Sequence, residues 1–222
     1  MTERIVVINP NSTAAVTAAI DRALQPWRMA GGPALECVTL DEGPPGIETQ
    51  AHVEQVVQPV CNLVRERADA AAFVIACFSD PGLPAAREAT RVPVFGIAEC
   101  GLLTALTRGE RFAILAILPS SLPRHLRYVR QLGVHARFAG ELPLGLGVVE
   151  LAEEARTFER MAAVGARLRN EHGADVLVLG CAGMAQYRKA LAATLEMPVI
   201  DPTQAAVTMA LGAVLQNREG ED

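Results

Sequence analysis

Residues 72–82, Ala-Phe-Val-Ile-Ala-Cys77-Phe-Ser-Asp-Pro-Gly, and residues 176–184, Val-Leu-Val-Leu-Gly-Cys181-Ala-Gly-Met, repeat one design in the two halves of the chain. In each stretch an apolar run with the length and β-branched content of a buried strand leads to a cysteine. The pattern predicts that each thiol lies where a strand ends and a helix begins. Two such thiols, one from each half, would face a ligand from opposite sides, which suits moving a proton between the faces of a carbon.

Strand and helix patterns alternate along the whole chain, which predicts an α/β protein with mainly parallel sheets. The predicted strands are 4–8, 34–39, 71–76, 93–97, 111–117, 136–139, 175–180 and 198–200. The predicted helices are 13–25, 48–68, 81–90, 99–108, 122–132, 151–172, 184–196 and 203–216. Pro59 is expected to kink or divide the second of these helices, because proline disrupts a helix interior.

The two halves also resemble each other outside the cysteine motifs. Residues 4–12 are similar to residues 111–121, and each cysteine precedes a strand that opens on proline, Pro93 in the first half and Pro198 in the second. Any α/β protein alternates strands with helices, but a cysteine at the same place in both halves favours a true repeat. The sequence therefore predicts two similar three-layer halves, related by an approximate two-fold axis.

The domain division follows from this repeat. Residues 1–96 together with 201–222 are predicted to form the first α/β domain, and residues 97–200 the second. The strand at 93–97 would lead across into the second half, and the closing helix would return to the first. An active site is expected in the cleft between the domains.

Composition narrows the function classes. The chain has 222 residues, of which 50% are apolar and 20% charged, and its formal net charge is −5. No cluster of Lys and Arg suits a nucleic acid or a membrane surface, and no apolar run is long enough to span a bilayer. The N-terminus does not resemble a signal peptide, so a cytoplasmic location and a small-molecule partner are expected.

Cysteine and histidine spacing argue against a disulfide framework and a metal site. The chain has five cysteines, an odd number with no paired spacing, so reduced thiols are expected. The four histidines are scattered without the spacing of metal ligands, and no metal is expected.

The stretch Asn9-Pro-Asn-Ser-Thr13 ends the first strand and opens the first helix. Asn11 and Ser12 are good N-cap residues, and a helix N-terminus also attracts an anion or a carbonyl oxygen. Capping and ligand contact both remain open here. A crevice at the carboxyl ends of parallel strands favours ligand contact for Asn11 and Ser12.

The first cysteine motif predicts a helix that begins at Pro81, capped by Asp80 or Ser79. Backbone N–H groups after Cys77 would then point into the crevice, an environment that lowers a thiol pKa from about 8.5 to roughly 3.5–7.5. An isolated cysteine at a strand end is more often inert packing. The matching Cys181 favours the reactive interpretation.

The second cysteine motif places small residues on both sides of its thiol. Gly180, Ala182 and Gly183 allow a ligand to approach the backbone closely, although a tight turn alone would also need small residues. Further candidates are Glu48 and the serines of the turn after residue 117, Ser120 and Ser121. For Glu48, a solvated charge at a helix start is the simpler interpretation.

These motifs together resemble the hydantoin and allantoin racemase branch of the aspartate/glutamate racemase superfamily. The resemblance rests on Asn9-Pro-Asn-Ser-Thr, Ala76-Cys-Phe-Ser-Asp-Pro-Gly-Leu, Ala86-Arg-Glu-Ala, Pro93-Val-Phe-Gly-Ile-Ala-Glu and Leu179-Gly-Cys-Ala-Gly-Met. It implies a cofactor-independent two-base mechanism with Cys77 and Cys181 as the pair, in a protein that self-associates. It further implies that the polar groups of the substrate are held by Asn11, Ser79, Asp80, Ala182 and Gly183.

One departure bears on the substrate. Ala116-Ile117 stands where hydantoin racemases usually have two threonines, which makes this wall of the crevice more apolar. A hydantoin-like, ureide or amino-acid-derived substrate is expected. The alternatives are a cysteine-dependent decarboxylase or a cis-trans isomerase of the same superfamily, or a binding protein without turnover.

Overall fold

The computed structural model describes residues 3–218 and confirms the α/β architecture. The strands are β1 Arg4–Asn9, β2 Ala34–Thr39, β3 Ala72–Ile75, β4 Val94–Gly96, β5 Phe112–Ala116, β6 Phe138–Pro143, β7 Val176–Leu179 and β8 Val199–Ile200. The α-helices are α1 Ala14–Ala23, α2 Gln50–Gln55, α3 Val57–Glu66, α4 Leu83–Ala89, α5 Ile97–Ala105, α6 Leu122–Gln131, α7 Glu154–Asn170, α8 Arg188–Leu195 and α9 Pro202–Arg218.

Several predicted element bounds differ from the structure, and three of the differences change how an element is built. The helix predicted over 48–68 is divided at Val56, and Pro59 lies in the first turn of α3, where its missing N–H is not needed. The strand predicted at 136–139 begins instead at Phe138, because residues 135–137 form a 3-10 turn. The helix predicted from residue 184 begins at Arg188, after a 3-10 segment over 182–187.

The described residues form two four-stranded sheets with the same strand order. The first sheet has the order β2-β1-β3-β4 and the second β6-β5-β7-β8, and all these pairs are parallel. In each sheet the chain passes from one central strand to one edge of the sheet, and from the other central strand to the opposite edge. Ligands bind outside the carboxyl ends of strands at such a reversal, so each half offers its central pair, β1 with β3 and β5 with β7.

Burial on both faces explains the apolar strands. In β1, Ile5 and Val7 face one buried cluster while Val6 and Ile8 face another, which is the period of two expected for a strand covered on both sides. The larger cluster contains side chains from both sheets and from α9. The two halves therefore share part of their apolar core.

The last helix lies on the first sheet. Helix α9 contacts β1, β3, β4 and α5. The division of the chain into 1–96 with 201–222 and 97–200 stays a prediction, and its residues 1, 2 and 219–222 lie outside the described residues. Across residues 3–218, no helix is long and apolar enough to cross a membrane.

Candidate active site

A cleft lies where the two central strand pairs end. Its walls combine thiols, polar side chains and apolar side chains from both halves. They are Asn11, Val16, Ile47, Ala76, Cys77, Phe78, Ser79, Ile117, Ser121, Arg124, His125, Val148, Gly180, Cys181 and Ala182. Both cysteines of the repeated motif therefore face one space, and both are half-buried and free of disulfides.

The turn after β3 holds Cys77 in a backbone arrangement that the sequence did not predict. Asp80 adopts a left-handed conformation, φ 43°, and Gly82 adopts another, φ 72°. Helix α4 therefore begins at Leu83 with Gly82 as its N-cap, and the expectation that Pro81 is the first helical residue is wrong. The N–H of Ser79 nevertheless hydrogen-bonds the Cys77 thiol, as expected of a donor just after the strand.

Asp80 is buried, and its carboxylate forms hydrogen bonds with residues outside the cleft wall. Its carboxylate accepts hydrogen bonds from the N–H groups of Ala98 (2.9 Å) and Glu99 (2.8 Å) and from the Tyr128 hydroxyl (2.8 Å). It therefore caps α5 rather than α4, and it does not appear in the cleft wall. A Cβ on Gly96 would lie 2.2 Å from the Asp80 Cγ, so this contact requires glycine.

The turn after β7 is built from small residues, as predicted. Gly180 lies so close to β5 that a Cβ there would be 2.8 Å from the Leu115 carbonyl oxygen. Gly180 and Ala182 line the cleft, and the N–H of Gly183 hydrogen-bonds the Cys181 thiol. Cys181 is thus followed by a donor two residues later, as Cys77 is followed by Ser79.

Burial has the largest effect on the pKa of both thiols. It raises the pKa of the Cys77 thiol, and negative charge at Cys181 raises it further, against the opposing effect of the Ser79 N–H. Burial also raises the pKa of Cys181, against the Gly183 N–H and together with the charges of Asp201 and Glu48. The expected lowering of the thiol pKa is wrong, because loss of water outweighs the nearby N–H groups. Both thiols are protonated at neutral pH in the unliganded cleft.

Of the two candidates that follow β1, Asn11 lines the cleft and Ser12 does not. Asn11 is buried and lines the cleft, and its Oδ1 accepts hydrogen bonds from the Asn9 side chain (3.0 Å) and the Thr13 N–H (3.0 Å). Ser12 is half-buried, donates its N–H to the Pro44 carbonyl (3.1 Å) and is not in the wall.

Glu48 and Ser120 connect the two halves at the edge of the cleft, whereas Ser121 bonds within its own half. Glu48 Oε1 accepts a hydrogen bond from the Val148 N–H (2.9 Å), and the Ser120 hydroxyl donates to the Glu48 carbonyl (3.0 Å). Ser121 is buried, lines the cleft and donates to the Leu118 carbonyl (2.8 Å). The structure therefore brings Ser121 into the wall, while Glu48 and Ser120 link loops at its edge.

Sequence reasoning missed the wall supplied by α6. Arg124 and His125 both line the cleft, and His125 Nδ1 lies 2.5 Å from Glu141 Oε1 in a buried pair. In the sequence, His125 stands between Arg124 and Arg127, a local pattern that favours an exposed basic helix face. The spacing of Val129 with His125 marks the buried side of α6, and that signal would have placed His125 inward.

Part of the cleft wall is apolar, as expected from Ala116-Ile117 at the place where hydantoin racemases usually have two threonines. Ile117 lines the cleft together with Val16, Ile47 and Val148. Within residues 3–218, no group of three or more His, Cys, Asp or Glu side chains is arranged to hold a metal ion.

The chain is similar to known racemases both in its sequence and in its structure. A family model described as Asp/Glu/Hydantoin racemase matches residues 5–210. The chain is 37% identical over 213 residues to a hydantoin racemase of Paenarthrobacter aurescens, covering 93% of this chain and 89% of that protein. It also matches the structure of an allantoin racemase from Klebsiella pneumoniae, with TM-score 0.92, 34% identity and coverage of 97% and 89%. A structure of arylmalonate decarboxylase, at 20% identity, TM-score 0.62 and coverage of 95% and 92%, shares the fold.

Proposed function

The chain belongs to the Asp/Glu/Hydantoin racemase family, and we propose that it is a cofactor-independent racemase or epimerase whose two bases are Cys77 and Cys181. The observation that carries this proposal is the convergence of two thiols from equivalent turns on one cleft. A base on one face of a carbon and an acid on the other are the requirements for inverting it by proton transfer.

In the proposed reaction, one cysteine acts as thiolate and removes the proton from a carbon next to a carbonyl group. The opposite thiol returns a proton to the other face, so the two cysteines exchange protonation states in each turnover. The N–H groups of Ser79 and Gly183 then stabilise whichever sulfur carries the charge. Asn11 and Ser121 supply polar contacts for the substrate from the wall, and Ala182 lies there beside Cys181.

The raised pKa values fit a site that ionises one thiol at a time. Two negative charges in the same cleft oppose each other, as the effect of Cys181 on the pKa of Cys77 indicates. The pair should therefore titrate with apparent pKa values that belong to both residues. An activity profile that rises with pH through the neutral and alkaline range is expected, because a thiolate must form before the proton is removed.

The proposed substrate is a small hydantoin-like, ureide or amino-acid-derived molecule. The support is the cleft wall, to which both halves contribute a thiol, and the activities named for the relatives, a hydantoin racemase and an allantoin racemase. Ile117 makes one wall apolar, which favours an alkyl or aryl substituent on that side. Self-association and a cytoplasmic location stay predictions.

The experiment compares Cys77→Ser, Cys181→Ser and the control Cys37→Ser, whose cysteine is half-buried and not part of the cleft wall. Each protein is incubated in deuterated water with single enantiomers of hydantoins, allantoin and amino-acid derivatives. NMR then follows exchange at the α-carbon, and circular dichroism follows loss of chirality. Racemisation by either cleft variant should fall by at least roughly 10²-fold, because serine is a far weaker acid and base at this pH. The control should match the wild type.

Full racemisation by both cleft variants would contradict the two-cysteine mechanism. Release of carbon dioxide that depends on Cys181 alone would instead favour a decarboxylase, and cis-trans conversion without α-exchange would favour an isomerase. Binding without any exchange or turnover would favour a non-catalytic binding protein.

A further inference from the structure

Arg124 is a half-buried cation in the cleft wall. Its Nε donates a hydrogen bond to the Ser79 hydroxyl at 2.9 Å, across the cleft from the second half to the first. Among the described residues, no ion pair joins its guanidinium to a carboxylate. A guanidinium has five N–H donors, so four of them remain for a partner from outside the protein.

The carboxylates around Arg124 already have other partners. Asp80 accepts three hydrogen bonds from α5 and Tyr128, as described above. Glu141 pairs with His125, and Glu48 accepts the Val148 N–H. A cation removed from water is costly without a counterion. This arrangement indicates that the anion opposite Arg124 belongs to a ligand.

The position of Arg124 in its helix strengthens this conclusion. It is the third residue of α6, and the first turn of that helix contains no acidic residue. The positive end of a helix dipole disfavours a cation there and attracts an anion. Burial lowers the pKa of Arg124, the charges of Cys77 and Glu141 raise it, and the charge of Arg127 on the same helix lowers it. The wall formed by α6 therefore presents a cation to the cleft, and the carboxylate that acts on it, Glu141, is hydrogen-bonded to His125.

We propose that Arg124 binds a carboxylate of the substrate while Cys77 faces the carbon that exchanges its proton. The proposal deepens the function proposed above, on which it rests, by naming the substrate class as a carboxylate-bearing molecule rather than a neutral ring. A guanidinium matches a carboxylate with two parallel hydrogen bonds. Arg124 would then set specificity, and its charge near Cys77 would favour the thiolate form of that residue.

The first test needs no turnover and uses two alkylating reagents of nearly the same size. Iodoacetate carries a carboxylate and iodoacetamide does not, and in both cases the thiolate displaces iodide from the CH₂ group. The rate of each reagent at Cys77 is measured by mass spectrometry of peptides from the intact protein. The ratio of the two rates at Cys77 is independent of its thiolate fraction, so a change in thiol pKa does not alter it.

The ratio of the iodoacetate rate to the iodoacetamide rate at Cys77 should exceed the ratio for glutathione by roughly tenfold, the scale of one partly screened ion pair. Arg124→Gln should return the ratio to that of glutathione, and Arg124→Lys should keep part of the preference. Arg130→Gln is the matched control, because Arg130 is an exposed residue of the same helix. A ratio that Arg124→Gln leaves within twofold of the wild type would overturn the proposal.

The second test asks whether the same preference governs turnover. The substrates are a 5-substituted hydantoin whose side chain ends in a carboxylate and the matched primary amide. Arg124→Gln should raise KM for the carboxylate by roughly tenfold and change KM for the amide by less than threefold. Equal effects on both substrates would overturn the proposed substrate class and leave the two-cysteine mechanism standing. Loss of exchange in the cysteine variants tests only the two-cysteine mechanism. The alkylation ratio is measured without turnover and tests the role of Arg124 separately.

Discussion

The Cys77 turn (residues 76–82) and the Cys181 turn (residues 180–187) occupy equivalent places in two similar sheets, yet a cation acts on the first thiol and not on the second. The negative charges of Cys181 and Asp80 raise the pKa of Cys77, and the positive charge of Arg124 lowers it. The negative charges of Asp201 and Glu48 raise the pKa of Cys181. A repeated backbone has therefore been given two different electrostatic environments. The two bases are not interchangeable, although each lies at the end of the same kind of strand.

The turns also differ in what holds them. The Cys77 turn contains a non-glycine residue in a left-handed conformation, Asp80, whose carboxylate fastens it to α5 and α6. The Cys181 turn has small residues and a 3-10 segment, and a Cβ on Gly180 would lie 2.8 Å from the Leu115 carbonyl oxygen. A Cβ on Gly183, farther along the turn, would make ordinary contacts, 3.4 Å to Leu151 and 3.7 Å to the Cys181 sulfur. Side-chain hydrogen bonds fix the first turn, whereas close backbone packing fixes the second.

The largest expected effect, on the free energy of unfolding, follows from the different contacts that hold the two turns. Gly96→Ala would place a methyl group 2.2 Å from the Asp80 Cγ and displace the carboxylate from its three donors. We expect the free energy of unfolding, measured with urea, to fall by about 4 kcal/mol, since strain adds to lost bonds of a buried charge. Gly183→Ala should cost less than about 1 kcal/mol. Similar losses in the two variants would contradict the difference between the turns.

A second prediction concerns Asp201, next to the Cys181 turn. Its Oδ1 accepts the Gln204 N–H (2.7 Å), its Oδ2 is buried without a partner in the described structure, and burial raises its pKa to about 7. Because the folded state holds this proton more tightly than the unfolded state, the wild type should lose stability as the pH rises from about 4 to about 7.

Asp201→Asn should remove this loss, because the amide resembles the protonated carboxyl. At pH 8 the variant should be more stable than the wild type by about 2 kcal/mol in urea unfolding, and at pH 4 the two should agree. Asp41→Asn, at an exposed position, is the control for the change in net charge. A constant difference between wild type and Asp201→Asn across this pH range would show that Asp201 stays ionised in the fold.

Sequence patterns predicted the sheets and the location of both cysteines, because buried strands have a local signature. Ile5 to Ile8 alternate between two apolar clusters, and the repeated cysteine marks the ends of β3 and β7. The same local rules assigned Asp80 to the nearest helix start. They failed because its partners, Ala98 and Tyr128, are distant in sequence, and tertiary contacts decided which helix it caps.

The electrostatics of the site were harder to predict than its residues. Sequence identifies the N–H donors that follow each cysteine, and these would lower a thiol pKa. It does not give the depth of burial, which raises the pKa of Cys77 and Cys181 instead. Arg124 was missed for a similar reason, since its contact with Ser79 joins residues from different halves.

The smallest expected effect sharpens the charge difference between the turns. Glu48→Gln keeps an acceptor for the Val148 N–H but removes a charge that raises the pKa of Cys181. Alkylation of Cys181 by iodoacetamide at pH 8 should become about two- to threefold faster, because a half-buried charge is largely screened. Cys77 in the same protein is the internal control, since Glu48 is not among the charges acting on it. Equal acceleration at both cysteines would mean that the substitution opens the cleft, and the asymmetry of the turns would then lie in access rather than charge.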